Sequence, residues 1–261
     1  MHGKTKKIDG GFLLQFAADD FRNKYAGSIM GVTWAFVQPL MTIVIYWFIF
    51  QVGFHSQPVA DYPFILWLFF GIIPWFFISE GIVGATPALA EYSYLVKKVV
   101  FPIEILPLTK ILSCFFVQIF LVVFTILFFC GFGYYPDLYY LQLPYYMLYM
   151  ILLLVGVSYI AAALYPFFRD LLQIVNICMQ VLFWLTPIVW DFNIMGEAVQ
   201  KILKLNPVYY VVQGYRDAFV YKEFFWENWQ AGLYYWAFAL LLLLLGRVIF
   251  RKMQAHFADV L

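Results

Sequence analysis

The stretch FRNKYAGSIMGVTWAFVQPLMTIVIYWFIFQVGF, residues 21–54, decides what kind of protein this is. Arg22, Asn23 and Lys24 give way through Gly27, Ser28 and Gly31 to a run over 34–54 that holds no formally charged side chain. About 20 helical residues at ~1.5 Å each cover the ~30 Å hydrocarbon core of a bilayer, so this run is long enough for a membrane-spanning helix. The basic residues at its entry hold that end on the side where Lys and Arg accumulate, and every later loop inherits its side from this one.

Composition extends the reading to the whole chain. With 65% hydrophobic and 12% charged residues over 261 positions, it carries about half the ~25% charge of a soluble domain. We therefore expect an all-α integral membrane protein. A net charge of +1 gives no support for nucleic-acid binding. Aromatic residues, at 23%, exceed what insertion requires and call for an interfacial or a functional explanation. Cys114, Cys130 and Cys178 fall in apolar runs without CxxC spacing and read as small hydrophobes, with no disulfide framework and no metal site. No small-residue cleavage pattern precedes the first apolar run, so a cleaved signal peptide is not expected.

Working outward, residues 1–261 form a single transmembrane domain. An amphipathic interface helix is expected over 9–25, where Phe12, Phe16 and Phe21 stand among Asp19, Asp20, Arg22 and Lys24. Six spans follow at 34–54, 64–84, 105–132, 145–165, 171–190 and 233–249, with Pro74 inside the second and Lys110 near enough to the start of the third to snorkel. Residues 86–102, bounded by Pro87 and Pro102 and carrying Glu91, Lys97 and Lys98, suit a short helix on a loop. Between spans five and six, 192–225 holds two helix-like segments, 194–205 and 209–221, separated by Asn206-Pro207. Neither is long or apolar enough to cross, so we expect two short re-entrant helices; an ordered outer cap is the other reading. Twelve of the sixteen Lys and Arg lie on the side of the N-terminus, which places both termini in the cytoplasm.

Catalytic signatures are missing. Gly3-Lys4-Thr5 lacks the earlier glycine of a phosphate-binding loop, neither HExxH nor GxSxG occurs, and His2, His55 and His256 are far apart in sequence. The informative polar residues follow helical spacing instead. Gln38, Thr42, Tyr46 and Gly53 lie at steps of 4, 4 and 7 in the first span. Gln173, Asn176, Gln180, Trp184 and Pro187 lie at steps of 3, 4, 4 and 3 in the fifth. Each set occupies one helix face, and buried amides in lipid need partners, so these faces turn toward another helix or a hydrated passage. The last span is apolar all round, as for a helix facing lipid. Glu80 sits within the second span with no titratable partner visible in the sequence.

Several motifs together resemble type-2 permease subunits of ATP-binding-cassette exporters, most of all the polysaccharide and teichoic-acid branch. They are Phe21-Arg22-Asn23-Lys24-Tyr25 with the following residues through Gln38-Pro39-Leu40, Phe168-Arg169-Asp170-Leu171, Leu185-Thr186-Pro187-Ile188-Val189-Trp190, Leu205-Asn206-Pro207 and Gly214-Tyr215-Arg216-Asp217-Ala218-Phe219. Thr186 stands where Ser is more usual. The resemblance covers nearly the whole chain and implies a homodimer in a bacterial inner membrane, paired with two separate cassette ATPase subunits and exporting a lipid-linked glycan along the dimer axis. ATP and Mg would bind the partner, and no cofactor this chain. It further implies ATPase coupling through Arg22, Lys24, Glu91, Tyr92, Lys97, Lys98, Arg169 and Asp170, and an outer gate around Pro187, Trp190, Asn206, Pro207 and Tyr215.

That implication gives the aromatic excess a rationale, since sugars present apolar CH faces that stack on rings. Tyr46, Trp47, Phe50, Phe183, Trp184 and Trp190 are the candidate rings, with duty in a lipid-facing belt as the other reading. Two further functions compete with glycan export: a drug or lipid exporter of the same family, and a stand-alone membrane glycosyl- or phosphotransferase.

Overall fold

A computed structural model describes residues 10–59, 62–97 and 101–261. Asp9, at the start of the expected interface helix, and Lys98, in the expected coupling loop, lie outside the described residues. The elements are α1 (Gly10–Lys24), α2 (Trp34–Trp47, continued by a π-helical turn Phe48–Gly53), α3 (Phe64–Ala85), α4 (Ala88–Glu91), α5 (Ser93–Val96), α6 (Ile105–Gly131), α7 (Leu143–Leu164), α8 (Leu171–Leu185), α9 (Glu197–Leu203), α10 (Pro207–Arg216, continued by a π-helical turn Asp217–Tyr221), α11 (Trp229–Met253) and α12 (Phe257–Val260). Among the described residues the only β pairing is one isolated bridge, Val59 with Tyr62.

Among the described residues, five helical stretches are long and apolar enough to cross a membrane: Gly31–Gly53, Phe64–Ala85, Ile105–Gly131, Leu138–Leu164 and Trp229–Val260. α8 is shorter, at 15 residues, or about 22 Å of rise. The helix expected over 171–190 ends early because Thr186 turns extended (φ −94°, ψ 133°) and the next residue, Pro187, has no N–H to continue the ladder.

Ring contacts fix the direction of the helices. α3 and α6 run antiparallel: Phe70 meets Phe129 with centroids 4.7 Å apart, and Phe77 meets Phe115 at 5.6 Å. α7 and α11 run parallel, with Tyr145 against Trp236 at 5.4 Å and Tyr159 against Phe250 at 5.2 Å. Parallel neighbours require the chain to return along the bundle between them, and α8 is the element that does so. α1 packs on the N-terminal half of α6, and α12 packs on α5 at the same end of the bundle.

α3 forms the centre, with Leu66, Trp67, Phe70, Ile72 and Ile78 all buried. By contrast α2, α8 and α11 leave apolar faces exposed, including Val44, Ile45 and Phe48, Ile174, Ile177 and Val181, and Leu240, Leu241 and Leu244.

Backbone-to-backbone contact joins α7 and α11. A Cβ on Gly246 would fall 2.4 Å from the carbonyl oxygen of Gly156, so only glycine permits this approach, as small residues do at helix contacts in membranes. Gly246→Val should overpack the contact at a cost of about 1–3 kcal/mol. The expected result is a lower unfolding midpoint and loss of a monodisperse peak in detergent. Gly131→Ala, where an added Cβ meets nothing within 4 Å, should leave both unchanged.

Candidate functional site

α2, α3 and α8 meet around a cavity of about 390 Å³. Four of the residues singled out by helical spacing line it, Tyr46 from α2 and Asn176, Gln180 and Trp184 from α8, together with the candidate ring Phe183. α3 adds Trp75, Phe76, Ser79 and Val83. The rings are arranged around Phe183. Tyr46 lies nearly parallel to it at 5.8 Å, Trp75 is tilted at 5.4 Å and Trp184 stands edge-on at 5.3 Å. Trp184 is 61% exposed, so its indole is not enclosed within the single chain. Neutral donors, neutral acceptors and ring faces together suit weak contact with an uncharged polar chain.

Not every expected channel residue joins this cavity. Gln38 and Gln173 are exposed outside it, and Thr42 spends its hydroxyl on its own helix, donating to the Gln38 carbonyl at 3.0 Å. Trp47 lines a separate cavity of about 580 Å³ with Phe64 and Phe128. Phe50 and Trp190 share another of about 320 Å³. The six candidate rings therefore divide among three cavities. The contribution of α3 was missed because its polar residues, Ser79 and Glu80, form no repeating amide stripe. Its signal was the four-residue spacing of Trp75, Ser79 and Val83.

The expected gate residues gather where α8 ends. Thr186 Oγ1 donates to the Leu182 carbonyl at 2.7 Å and accepts from Asn206 Nδ2 at 2.7 Å. Asn206 also caps α10, accepting from the Val208 N–H at 2.9 Å, with Pro207 in the first-turn position that suits its missing N–H. Arg216 reaches back from the last turn of α10, Nη1 donating to the Pro187 carbonyl at 2.6 Å and Nη2 to that of Ile188 at 2.8 Å. Its guanidinium lies 3.5 Å from the centre of the Trp67 ring. Gly71 makes room, since a Cβ there would fall 2.6 Å from the Ile188 oxygen. Trp190 Nε1 donates to the Trp184 carbonyl at 3.1 Å. Tyr215 lies elsewhere: it is buried against α6 and accepts from Gln118 Nε2 at 3.0 Å.

At the opposite end, α1 is held by an ionic network. Lys110 bridges Asp20 at 2.6 Å and Glu91 at 2.7 Å. Ser113 Oγ donates to Asp20 Oδ2 at 2.7 Å, and the Tyr92 hydroxyl donates to Oδ1 of the same carboxylate. Lys24 pairs with Glu80, the partner that a separation of 56 residues had hidden. These groups surround a cavity of about 440 Å³. Of the other expected coupling residues, Arg22, Lys97, Arg169 and Asp170 are exposed, and Arg169 lies 5.2 Å from the Tyr165 ring centre.

Burial alone would raise the Asp20 carboxyl, yet its bonds from Lys110, Tyr92 and Ser113 outweigh that and hold it below the ordinary 3.8. Burial and the Asp20 carboxylate push the Tyr92 phenol up. For a carboxyl depressed in the folded state, the stabilisation is complete above its unfolded value and is lost as pH falls through the folded one. The grip on α1 should therefore survive acidification to about pH 5 and fail only at more acid values. Lys110→Met strands the 4%-exposed Asp20, a change that typically costs about 3–5 kcal/mol in a buried pair. Hydrogen exchange over Gly10–Lys24 should accelerate in that variant at neutral pH; unchanged protection would show that the network does not hold α1.

Residues 13–220 match the ABC-2 type transporter family. The chain is 27% identical over 245 residues to a Klebsiella pneumoniae protein named O-antigen export system permease protein RfbA, covering 93% of this chain and 92% of the relative. A Myxococcus xanthus protein of the same name is 26% identical over 211 residues, 80% of each chain. The family match spans most of the chain and takes in the cavity between α2, α3 and α8, the end of α8 and all but the first residues of α1. The chain therefore belongs to the ABC-2 type transporter family, as a membrane transport subunit whose ATPase is a separate polypeptide.

Proposed function

We propose that the chain is the membrane-spanning subunit of an ATP-driven exporter that moves a lipid-linked polysaccharide, of O-antigen or teichoic-acid type, out of the cytoplasm across a bacterial inner membrane. The observation that carries this reading is the wall of rings and amides formed by Tyr46, Trp75, Asn176, Gln180, Phe183 and Trp184. The names of the relatives are consistent with it.

Exposed Gln38, Gln173 and Gln180 lie in otherwise apolar helices, and an amide facing hydrocarbon without a partner is costly. A second copy of the chain, apposed through α2 and α8, would turn both polar faces inward and enclose a hydrated passage. Ring faces there would hold successive sugar units weakly, so that the glycan slides without being trapped.

On this reading α2, α3, α6, α7, α8 and α11 make six crossings, the short α8 completed by its extended tail at ~3.3 Å per residue. α1 lies along the cytoplasmic interface, and α9 and α10 dip in from the outer side. Two ATPase subunits, which carry ATP and Mg, would bear on α1, α4, α5 and the Arg169-Asp170 turn. Lys110 ties α1 and α4 to α6, so a push on either would reach the bundle.

Replacing Tyr46 and Trp184 with Ala removes two rings, each worth about 0.5–1.5 kcal/mol of stacking, so surface glycan should fall about ten-fold or more. A cassette ATPase should still co-purify. Unchanged surface glycan would remove the ring wall from the mechanism, and failure to capture any cassette ATPase would overturn the exporter reading.

A further inference from the structure

A cavity of about 320 Å³ lies among α9, α10 and the N-terminal half of α3, apart from both the ring-lined cavity and the Asp20 network. That volume is near the lower bound of the ~300–1,000 Å³ usual for small-molecule sites, so it accommodates a small unit and not a chain. Trp67 and Arg216 line it and are only 1% and 2% exposed, Trp67 standing between it and the cavity of Phe50 and Trp190. Each keeps one buried N–H without a partner, Nε1 of Trp67 and Nε of Arg216. Buried donors are normally satisfied, and two orphans in the lining of one cavity point to something that fills it.

The remaining walls say what kind of molecule fits. Asp191, Gln213 and Asp217 supply polar atoms at mid-depth, with Gln213 Nε2 donating to Asp217 at 2.8 Å. Burial pushes the Asp217 carboxyl up to about 7, so it serves as donor or acceptor near neutrality. Phe192 and Tyr209 form an aromatic side, their centroids 4.9 Å apart. Lys204 and Glu223 are exposed at the rim. The cavity walls mix carboxyl groups (Asp191, Asp217, Glu223) with cations (Lys204, Arg216), so neither an anion nor a cation finds a lining of one opposite sign. A neutral polyol needs no such lining, because each hydroxyl both donates and accepts while the CH face of its ring lies on aromatic carbon.

We propose that this cavity is a binding site for one neutral pyranose ring, held by Trp67 Nε1, Arg216 Nε and the Asp191–Asp217 side. That the ring belongs to the exported glycan rests on the export reading above; the headgroup of a glycosylated lipid is the other source of the same chemistry.

Saturation-transfer NMR on the full chain in nanodiscs tests this with free neutral oligosaccharides in one arm and a glycosylated lipid in the other. Signal from pyranose protons is expected, and Trp67→Phe and Asp191→Asn should each weaken it at least about five-fold. Asp191→Asn keeps the side-chain acceptor that caps the turn at Asn193, so it guards against misfolding of the Trp67 variant. Gly131→Ala, which lines neither this cavity nor the ring-lined one, should leave the signal intact. Absence of saccharide signal in both arms, or signal insensitive to both cavity variants, overturns the proposal. Loss of surface glycan on deleting the chain, measured alongside, separates the two claims: if it persists while cavity binding fails, this proposal falls and export stands.

Discussion

A helix that stops inside an apolar bundle leaves carbonyl oxygens that need donors. At the end of α8 Thr186 and Trp190 donate to the Leu182 and Trp184 carbonyls, and the two carbonyls just beyond the helix fall to a single side chain. Arg216 serves both Pro187 and Ile188, and much follows from that. The guanidinium reaches them only because Gly71 lets α3 come close, and the Trp67 ring backs it. The Asn206 side chain ties the start of α10 to Thr186, so α10 is bound to the broken end of α8 through both its first and its last turn. The position of α10 and the cavity beneath α9 are consequences of ending one helix five residues early.

The two ends of the bundle use different chemistry for the same task. Around Asp20 one ion pair, to Lys110, and two hydroxyl donors, Tyr92 and Ser113, meet on a single carboxylate. At the other end the joints are phenolic: the Tyr145 and Tyr210 hydroxyls bond at 2.8 Å, and Trp236 Nε1 donates to Tyr145 at 2.7 Å. Gln142 bridges the same region, donating to the Glu223 carbonyl at 2.8 Å and accepting from the Phe225 N–H at 3.0 Å. Part of the aromatic excess thus serves structure, since these rings weld α7, α10 and α11 together.

Local period made much of this legible before any coordinates. Helical steps placed Tyr46, Asn176, Gln180 and Trp184 on two faces, and the fold brings residues of both faces to one cavity. Asn206-Pro207 announced the start of α10 through capping chemistry that acts within three residues. What was illegible depends on distance along the chain. Glu80 looked solitary because Lys24 is 56 residues away, and Lys110 looked like a snorkelling interface residue because Asp20 and Glu91 approach it only through the packing of α1 and α4. Tyr215 sat in a motif that suggested the gate, yet the face of α10 that carries it turns to Gln118. α3 carries no amide to mark a stripe, so Trp75 and Ser79 passed as ordinary apolar packing.

The glycine contact between α7 and α11 bears on movement. Where the carbonyl oxygen of Gly156 lies against the Cα of Gly246, no side chain separates the two backbones, and rings pack between the helices on either side of that point. The pair behaves as one stiff beam, to which the tyrosines fasten α10. Compliance is left to α2 and α8, whose contact runs through the rings of Tyr46 and Phe183 at 5.8 Å. Rings slide over one another without breaking a covalent or ionic link, so on the export reading proposed above a movement of α2 against α8 would run through the same side chains that face the glycan.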